Sequence, residues 1–208
     1  MNLNFKFSAS LLFSILFIWT LNGNAQERNF NKIRVGLSIS PFAENNIGPF
    51  EELVGSGSFE SEKFFGADLS VNVPIKGIFS IESGLGYSTQ SVTFKGAFNP
   101  EHETFTETKN LSILEIPILG SVHFGNYFYV NLGPTLHFDL SKKVDYRDKQ
   151  NGIGANLGIG ANYNISPIFS VHLEPYLKSY SLIPFESGKY YDRITQLGFK
   201  IGGRITLD

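Results

Sequence analysis

The stretch QLGFKIGGRITL, residues 196–207, alternates between two kinds of side chain along its whole length. One face carries apolar residues and one glycine: Leu197, Phe199, Ile201, Gly203, Ile205 and Leu207. The other face is polar or glycine: Gln196, Gly198, Lys200, Gly202, Arg204 and Thr206. A period of two is typical of a β-strand whose two faces meet different surroundings, so a strand is predicted here.

The same alternation recurs upstream and predicts an all-β chain with eight strands. Their approximate bounds are 32–42, 63–74, 78–95, 110–124, 127–141, 152–164, 168–182 and 192–207. Most of these segments exceed the mean soluble strand of about 5–6 residues. They reach the about 9–11 residues that a tilted strand needs to cross a bilayer. Strands that span a membrane are therefore expected.

The connections between these strands alternate strictly between short and long. The short ones are 75–77, 125–126 and 165–167, and the long ones are 43–62, 96–109, 142–151 and 183–191. In consecutive antiparallel strands, all short connections then lie at one end and all long ones at the other. This asymmetry is typical of antiparallel up-and-down outer-membrane barrels, whose periplasmic turns are short. An even strand number puts both mature termini on that periplasmic side.

Alternation alone leaves open which face is inside. A soluble lipocalin-like carrier would turn its apolar face inward around a ligand, whereas a membrane barrel turns it outward to lipid. The polar face is rich in glycine, which suits a narrow interior, and its charges balance, as an enclosed lumen requires. The lumen network is predicted to comprise Arg34, Asp68, Glu82, Glu115, Asp139, His172, Glu174, Lys178, Lys200 and Arg204. Lys200, Arg204 and Arg34 are the expected counter-charges of Glu115.

Aromatic residues of the apolar face cluster near the short connections and are expected to form a girdle at the periplasmic membrane interface. They are Phe79, Phe124, Phe128, Tyr163 and Phe169. Pro117, Pro134 and Pro175 fall within strands. Because proline cannot donate to the ladder, bulges or interrupted pairing are expected at these three positions.

The first 25 residues are predicted to be a secretory signal peptide. Lys6 precedes an apolar run at 11–21, and residues 23–25, GNA, place small residues where a signal peptidase cleaves. The mature barrel domain is then 26–208. The chain has no Cys, which excludes disulfides, a Cys nucleophile and a lipoprotein anchor. Its 17 Lys and Arg nearly balance 19 Asp and Glu, which excludes a strongly basic nucleic-acid binder.

Several of these segments resemble a known family. Residues 84–88, GLGYS, and 114–119, LEIPIL, are similar to motifs of the PorT-like outer-membrane β-barrel domain family of Bacteroidota. Gly133-Pro134 and residues 173–176, LEPY, follow in the same order. The resemblance implies an eight-stranded outer-membrane barrel. The namesake of that family is linked to type IX protein secretion and gliding. The barrel assembly machinery is an expected partner during insertion. Many barrels end in an aromatic residue that this machinery reads, whereas this chain ends ITLD, so recognition is expected to rest on the alternating apolar residues.

Motifs for chemistry are scarce. The sequence contains no nucleotide-binding loop, HExxH or GxSxG pattern, so no catalytic residue, cofactor or metal site is predicted. His123, His137 and His172 share the predicted lumen with carboxylates, which leaves a lipid-acting barrel hydrolase as an alternative. A side-chain-filled lumen of eight strands leaves little space for substrate.

The long connections differ in charge. The first is acidic, with Glu44, Glu51, Glu52, Glu60 and Glu62 before Lys63. The third is basic, with Lys142, Lys143, Arg147 and Lys149, and could dock a protein partner or lipopolysaccharide phosphates. The sequence therefore predicts a monomeric, non-enzymatic and poorly conducting barrel in contact with outer-membrane lipid, with a structural or protein-interaction role. An exported ligand carrier or barrel enzyme is the alternative.

Overall fold

A computed structural model describes residues 32–48, 58–96, 106–144, 148–186 and 192–207. The expected signal peptide, 1–25, lies outside the described residues. The strands are β1 (Arg34–Gly48), β2 (Ser58–Lys76), β3 (Phe79–Lys95), β4 (Thr106–Phe124), β5 (Phe128–Asp139), β6 (Gly152–Asn164), β7 (Phe169–Pro184) and β8 (Arg193–Thr206). Each pairs antiparallel with the next, and β8 pairs with β1 to close the barrel. The predicted eight-stranded up-and-down barrel is thus confirmed. None of the described residues belongs to a helix that could cross a membrane.

The two ends of the barrel differ as the connections predicted. We call the end with the tight connections 77–78, 125–127 and 165–168 the turn end, and the opposite one the loop end. Gly77 and Gly125 have φ of 61° and 60°, a region that glycine adopts without steric cost. In the third turn, the Ser166 hydroxyl accepts a hydrogen bond from the Phe169 amide at 2.9 Å. The two glycine conformations and this hydrogen bond fix the backbone of the tight connections at the turn end.

The three prolines for which interrupted pairing was predicted, Pro117, Pro134 and Pro175, each interrupt pairing on one side only. Paired residues of β3 and β4 skip the level of Pro117, but Pro117 remains opposite Thr135 on β5. Pairing of β4 with β5 skips Pro134, which stays opposite Ala155 on β6. Pairing of β7 with β6 skips Pro175, which stays opposite Phe199 on β8. A strand residue directs its N–H toward one neighbour, so losing that donor opens one ladder and spares the other.

Large apolar side chains cover the outside of the barrel between the two ends. Leu37, Leu132, Ile159, Leu173 and Leu197 are each 48–64% exposed, from five different strands. A soluble protein rarely exposes so continuous an apolar surface. The outward face is therefore the lipid face, as expected for a membrane barrel.

The loop end departs from the predicted strand bounds. The first, second and fourth strands extend beyond 32–42, 63–74 and 110–124, so Glu44, Glu60 and Glu62 lie in strands and not in a long loop. Inside this extension lies an apolar cluster, which we call the apolar plug: Ile47, Val92, Leu111, Ile113, Tyr180 and Ile194. This cluster was not predicted from the sequence. Above the lipid belt the inner wall is apolar, because a wall that faces water buries its apolar side chains inside.

Candidate functional site: a filled lumen

The polar inner face forms ion pairs that cross the lumen. Lys178 on β7 lies with its Nζ 2.6 Å from Oε2 of Glu115 on β4. Their side chains are only 8% and 3% exposed. Tyr180 donates its hydroxyl to the other carboxylate oxygen of Glu115 at 2.7 Å. The direct ion-pair partner of Glu115 is therefore Lys178. Of the expected counter-charges, Lys200 forms its ion pair with Asp68 and Arg204 with Glu82. Arg34 donates to Asn72.

A second crossing pair lies toward the turn end. Arg204 on β8 donates from Nη2 to Glu82 Oε2 on β3 at 2.9 Å, and both side chains are buried. The same Nη2 lies 3.3 Å from the hydroxyl of Tyr129, and the guanidinium carbon lies 4.8 Å from the centre of that ring. Arg204 thus spans from the β8 wall to the opposite side of the barrel.

Two further carboxylates are held in the middle of the lumen. Lys200 Nζ lies 3.4 Å from Oδ1 of Asp68, and joins β8 to β2. Glu174 accepts a hydrogen bond from the Asn131 amide at 3.0 Å. Lys178 and Lys200 also lie 4.9 and 5.6 Å from the centre of the Tyr176 ring, which stands between them. Pairing of this kind offsets the desolvation that an isolated buried charge would suffer.

The remaining members of the predicted network lie at the two ends. Asp139 is buried at the loop end, where its carboxylate accepts from the backbone amides of Ser141 and Gln150. It therefore braces the connection that follows β5. Arg34 lies at the turn end and donates to the Asn72 side chain at 3.3 Å. His172 is buried in the lumen wall beside the Asp68 level.

Two tyrosines fill the lumen because glycines face them. Gly160 is paired with Tyr129, and a Cβ at Gly160 would lie 2.1 Å from the tyrosine Cζ. Gly198 is paired with Tyr176, and a Cβ there would lie 2.7 Å from its hydroxyl. Each ring therefore lies across a bare patch of the neighbouring strand. The alternation places both tyrosines on the polar faces of their strands, but it did not predict that each ring packs against a glycine of the neighbouring strand.

Little space is left inside. A void of about 10 Å³ lies mid-lumen beside Asp68, Glu82, Glu174, Lys200 and Arg204. About one water molecule fits in such a volume. The apolar plug covers the loop-end side of this polar layer.

A contact between a serine and a histidine, the pair that a nucleophile and its base would form, lies at the turn end. The Ser80 hydroxyl lies 2.9 Å from Nε2 of His123 and accepts a hydrogen bond from Asn72 at 3.1 Å. All three side chains are buried at 2–4% exposure. A substrate would have to displace this network to reach the serine, so the contact is suited to bracing strands. No three His, Asp or Glu side chains of the described residues are grouped to hold a metal ion.

The aromatic residues assigned to the girdle all lie at the turn end of their strands. Phe79, Phe124 and Tyr163 are 51–62% exposed on the outer face, and Phe169 is 39% exposed. Phe128 is half-buried. Tyr163 stacks on Tyr127, with ring centres 6.5 Å apart. In the basic third connection, Lys142 and Lys143 are exposed, while Lys149 donates to the Asp139 carbonyl.

Known structures share this architecture. OprG, an outer membrane protein from Pseudomonas aeruginosa, is similar over 87% of this chain and 99% of its own, with a TM-score of 0.52 and 10% identity. The outer membrane protein AlkL is similar over 90% of this chain and 96% of its own, with a TM-score of 0.49 and 10% identity. Ail of Yersinia pestis is similar over 83% of this chain and 99% of its own, with a TM-score of 0.41 and 12% identity. The likeness to OprG shows the fold alone.

No curated protein matches the chain. A family model described as outer membrane protein beta-barrel domain matches residues 2–185, which is most of the sequence. Together with the closed eight-stranded barrel and its apolar outer belt, this match indicates an outer-membrane location. The chain belongs to the outer membrane protein beta-barrel domain family.

Proposed function

We propose that this protein is a monomeric, non-enzymatic and closed outer-membrane barrel that presents its loop end to a protein partner. The observation that carries the proposal is the filling of the lumen. Lys178 with Glu115 and Arg204 with Glu82 cross it, and the apolar plug lies beyond them. A barrel filled in this way is rigid and holds its external face in a fixed position.

The alternative functions need more space than the cavity found among the described lumen residues. A ligand carrier needs an internal cavity of about 300–1,000 Å³, whereas the void here is about 10 Å³. An enzyme needs a nucleophile that substrate can reach, and Ser80 is 3% exposed. The small void and the burial of Ser80 both favour a scaffold over a carrier or a hydrolase.

The proposed orientation places both mature termini and the short turns in the periplasm. It rests on the asymmetry of the connections, since outer-membrane barrels have short periplasmic turns and longer external loops. The external wall is then tallest at β2, β3 and β4, whose strands end at Ser58, Lys95 and Thr106. This tall wall is the surface that we assign to the partner.

The resemblance to PorT-like proteins favours a partner in a protein-secretion apparatus. Deleting the gene and measuring the secreted proteins tests this part of the proposal. A selective loss of secreted proteins, restored by the wild-type gene, is expected. An unchanged set of secreted proteins would separate this chain from the role of the family namesake.

Conductance tests the closed lumen directly. Purified mature protein in a planar bilayer is expected to show no stable channel. A double variant, Glu115→Ala with Arg204→Ala, removes one partner from each crossing pair and serves as the comparison. Large, reproducible openings of the wild-type protein would overturn the proposal.

A further inference from the structure

The pairing of β1 with β2 stops well before either strand ends. The last pair is Ser40 with Gly66, and among the described residues none of 41–48 pairs with β2. At this level β1 stays paired with β8, and β2 stays paired with β3. The barrel wall is therefore open toward the loop end between residues 41–48 and 58–65, and we call this opening the seam.

Both strands bend where the seam begins. Pro41 directly follows the last paired residue of β1 and has no N–H to donate to a ladder. A bulge lies on β1 between Ile39 and Phe42. Another lies on β2 between Glu62 and Phe65. Because a bulged strand bends and twists more strongly, the two strands diverge from this point, and the seam is built into both of them.

Side chains connect the two edges of the seam only weakly. The Asn45 amide donates to the Ser61 hydroxyl at 3.4 Å, longer than the about 2.7–3.2 Å of a usual N–H···O bond. Counting on from the last backbone pair, Glu44 stands opposite Glu62, and both are exposed. Like charges on facing strands repel each other, so these two carboxylates disfavour closure of the seam.

The seam lies outside the hydrocarbon layer of the membrane. A charge facing lipid is costly, so the exposed Glu44 and Glu62 place this level above the apolar belt. Ile47 of the apolar plug lies on the β1 edge, and Phe59 of the β2 edge packs against the plug. Strand edges that lack a backbone partner are tolerated in water and not in hydrocarbon. A polypeptide that approaches the loop end can therefore reach both edges.

We propose that the seam takes up an extended segment of the protein partner as an added strand between β1 and β2. This inference rests on the proposed function, which assigns a protein partner to the loop end. Open strand edges bind extended peptides through main-chain hydrogen bonds, and the alternate side chains give specificity. An added strand needs about 10 Å between its two neighbours, twice the spacing of paired strands, so the Asn45–Ser61 bond breaks on entry.

The two faces of the seam define the chemistry of that segment. Successive side chains of an added strand point to opposite faces. Those on the inner face meet Ile47 and Phe59, which favours apolar residues. Those on the outer face meet Glu44 and Glu62, which favours Lys or Arg. The expected segment is therefore one in which apolar and basic residues alternate.

A labelled peptide of lysine and valine in strict alternation, as long as the seam, is the probe. Purified mature protein in phosphatidylcholine nanodiscs is titrated, and fluorescence anisotropy gives the Kd. Asn45→Cys with Ser61→Cys places two thiols across the seam, and a disulfide or a dibromobimane bridge between them holds it closed. We expect the bridged protein to bind about tenfold more weakly than the same protein reduced, because main-chain hydrogen bonds supply the affinity of an added strand.

Three comparisons make the test specific. Thr93→Cys with Thr108→Cys bridges β3 to β4, which are already paired there, and should bind equally when bridged or reduced. Glu44→Gln with Glu62→Gln should weaken binding about fivefold, since two exposed attractions are lost. A peptide N-methylated at alternate residues cannot donate the main-chain hydrogen bonds and should bind wild type weakly.

Loss of peptide binding on bridging the seam, with normal binding by the β3–β4 control, supports the proposal. Equal binding by the bridged and reduced seam, or equal binding of the N-methylated peptide, overturns it. A wild-type protein that binds no peptide also overturns it, and would leave the seam to the chain's own connection or to a second copy of the chain. The conductance and secretion tests of the proposed function do not involve the seam, so strand addition can fail while a partner docks on the outer wall.

Discussion

Lys178 and Glu115 face each other across the lumen, with Nζ and Oε2 2.6 Å apart, although 63 positions separate them in the chain. Glu115→Ala should leave the Lys178 ammonium buried and unpaired. Breaking a buried pair on one side costs about 3–5 kcal/mol, so we expect a clear loss of thermal stability. Heat-modifiable gel mobility over a temperature series measures it, and the protein should still reach the outer membrane.

A matched pair and a double variant sharpen this prediction. Glu107→Ala breaks the exposed Lys109–Glu107 pair on the same strand, and should change stability by about 1 kcal/mol or less. Adding Lys178→Met to Glu115→Ala removes the orphaned charge and should restore much of the lost stability. Glu115→Ala with wild-type stability would mean that the lumen is hydrated at this level.

Replacing Gly160 is predicted to disturb the packing of the Tyr129 ring in the lumen. A Cβ at this position would meet the Tyr129 ring at 2.1 Å, and that ring contacts Arg204. Gly160→Ala should therefore displace Tyr129 and lower stability by about 1–3 kcal/mol, the usual range for overpacking. Gly120→Ala is the control, because its Cβ would lie 3.7 Å from the nearest atom. Urea unfolding of both variants compares them, and equal stabilities would contradict the assigned packing.

The period of two made the strands predictable, whereas contacts across the lumen were not. Each strand shows its own two faces in sequence, and the alternating connections order the strands. Which inward residue meets which across the barrel depends on strand tilt and stagger. Lys178 shares the phase of Glu115, but nothing along the chain places it closer to Glu115 than Lys200.

The apolar plug was not predicted, although the same alternation located the strands. In β3 the apolar phase moves from Tyr87, which points outward, to Val92, which points inward, without a bulge. The faces of this strand were predicted only up to Tyr87, and the switch of parity lies beyond it. Val92 standing in the polar phase, with Thr93 beside it in the apolar phase, was the available signal. This switch of parity marks the level at which the barrel wall leaves the hydrocarbon core of the membrane.

That switch gives a prediction on two adjacent residues. Val92→Asp would place a carboxylate inside the apolar plug, where Val92 is 2% exposed, and should cost several kcal/mol. Ser91→Asp puts the same group on the outer face, opposite Glu62, and should lower stability by about 1 kcal/mol or less. Urea midpoints of the two variants give the comparison. Similar midpoints would mean that the plug is open to water.

The proposed orientation can be read from a chain that contains no cysteine, since any introduced thiol is then unique. Thr108→Cys lies on the exposed outer face at the loop end, and Lys76→Cys lies exposed at the turn end. A membrane-impermeant maleimide should label Thr108→Cys in intact cells, and Lys76→Cys only after the outer membrane is permeabilised. Leu85→Cys, in the middle of the apolar belt, should resist labelling in both states, because the reactive thiolate is disfavoured in apolar surroundings. Labelling of Lys76→Cys in intact cells, with Thr108→Cys protected, would reverse the orientation and place both mature termini outside.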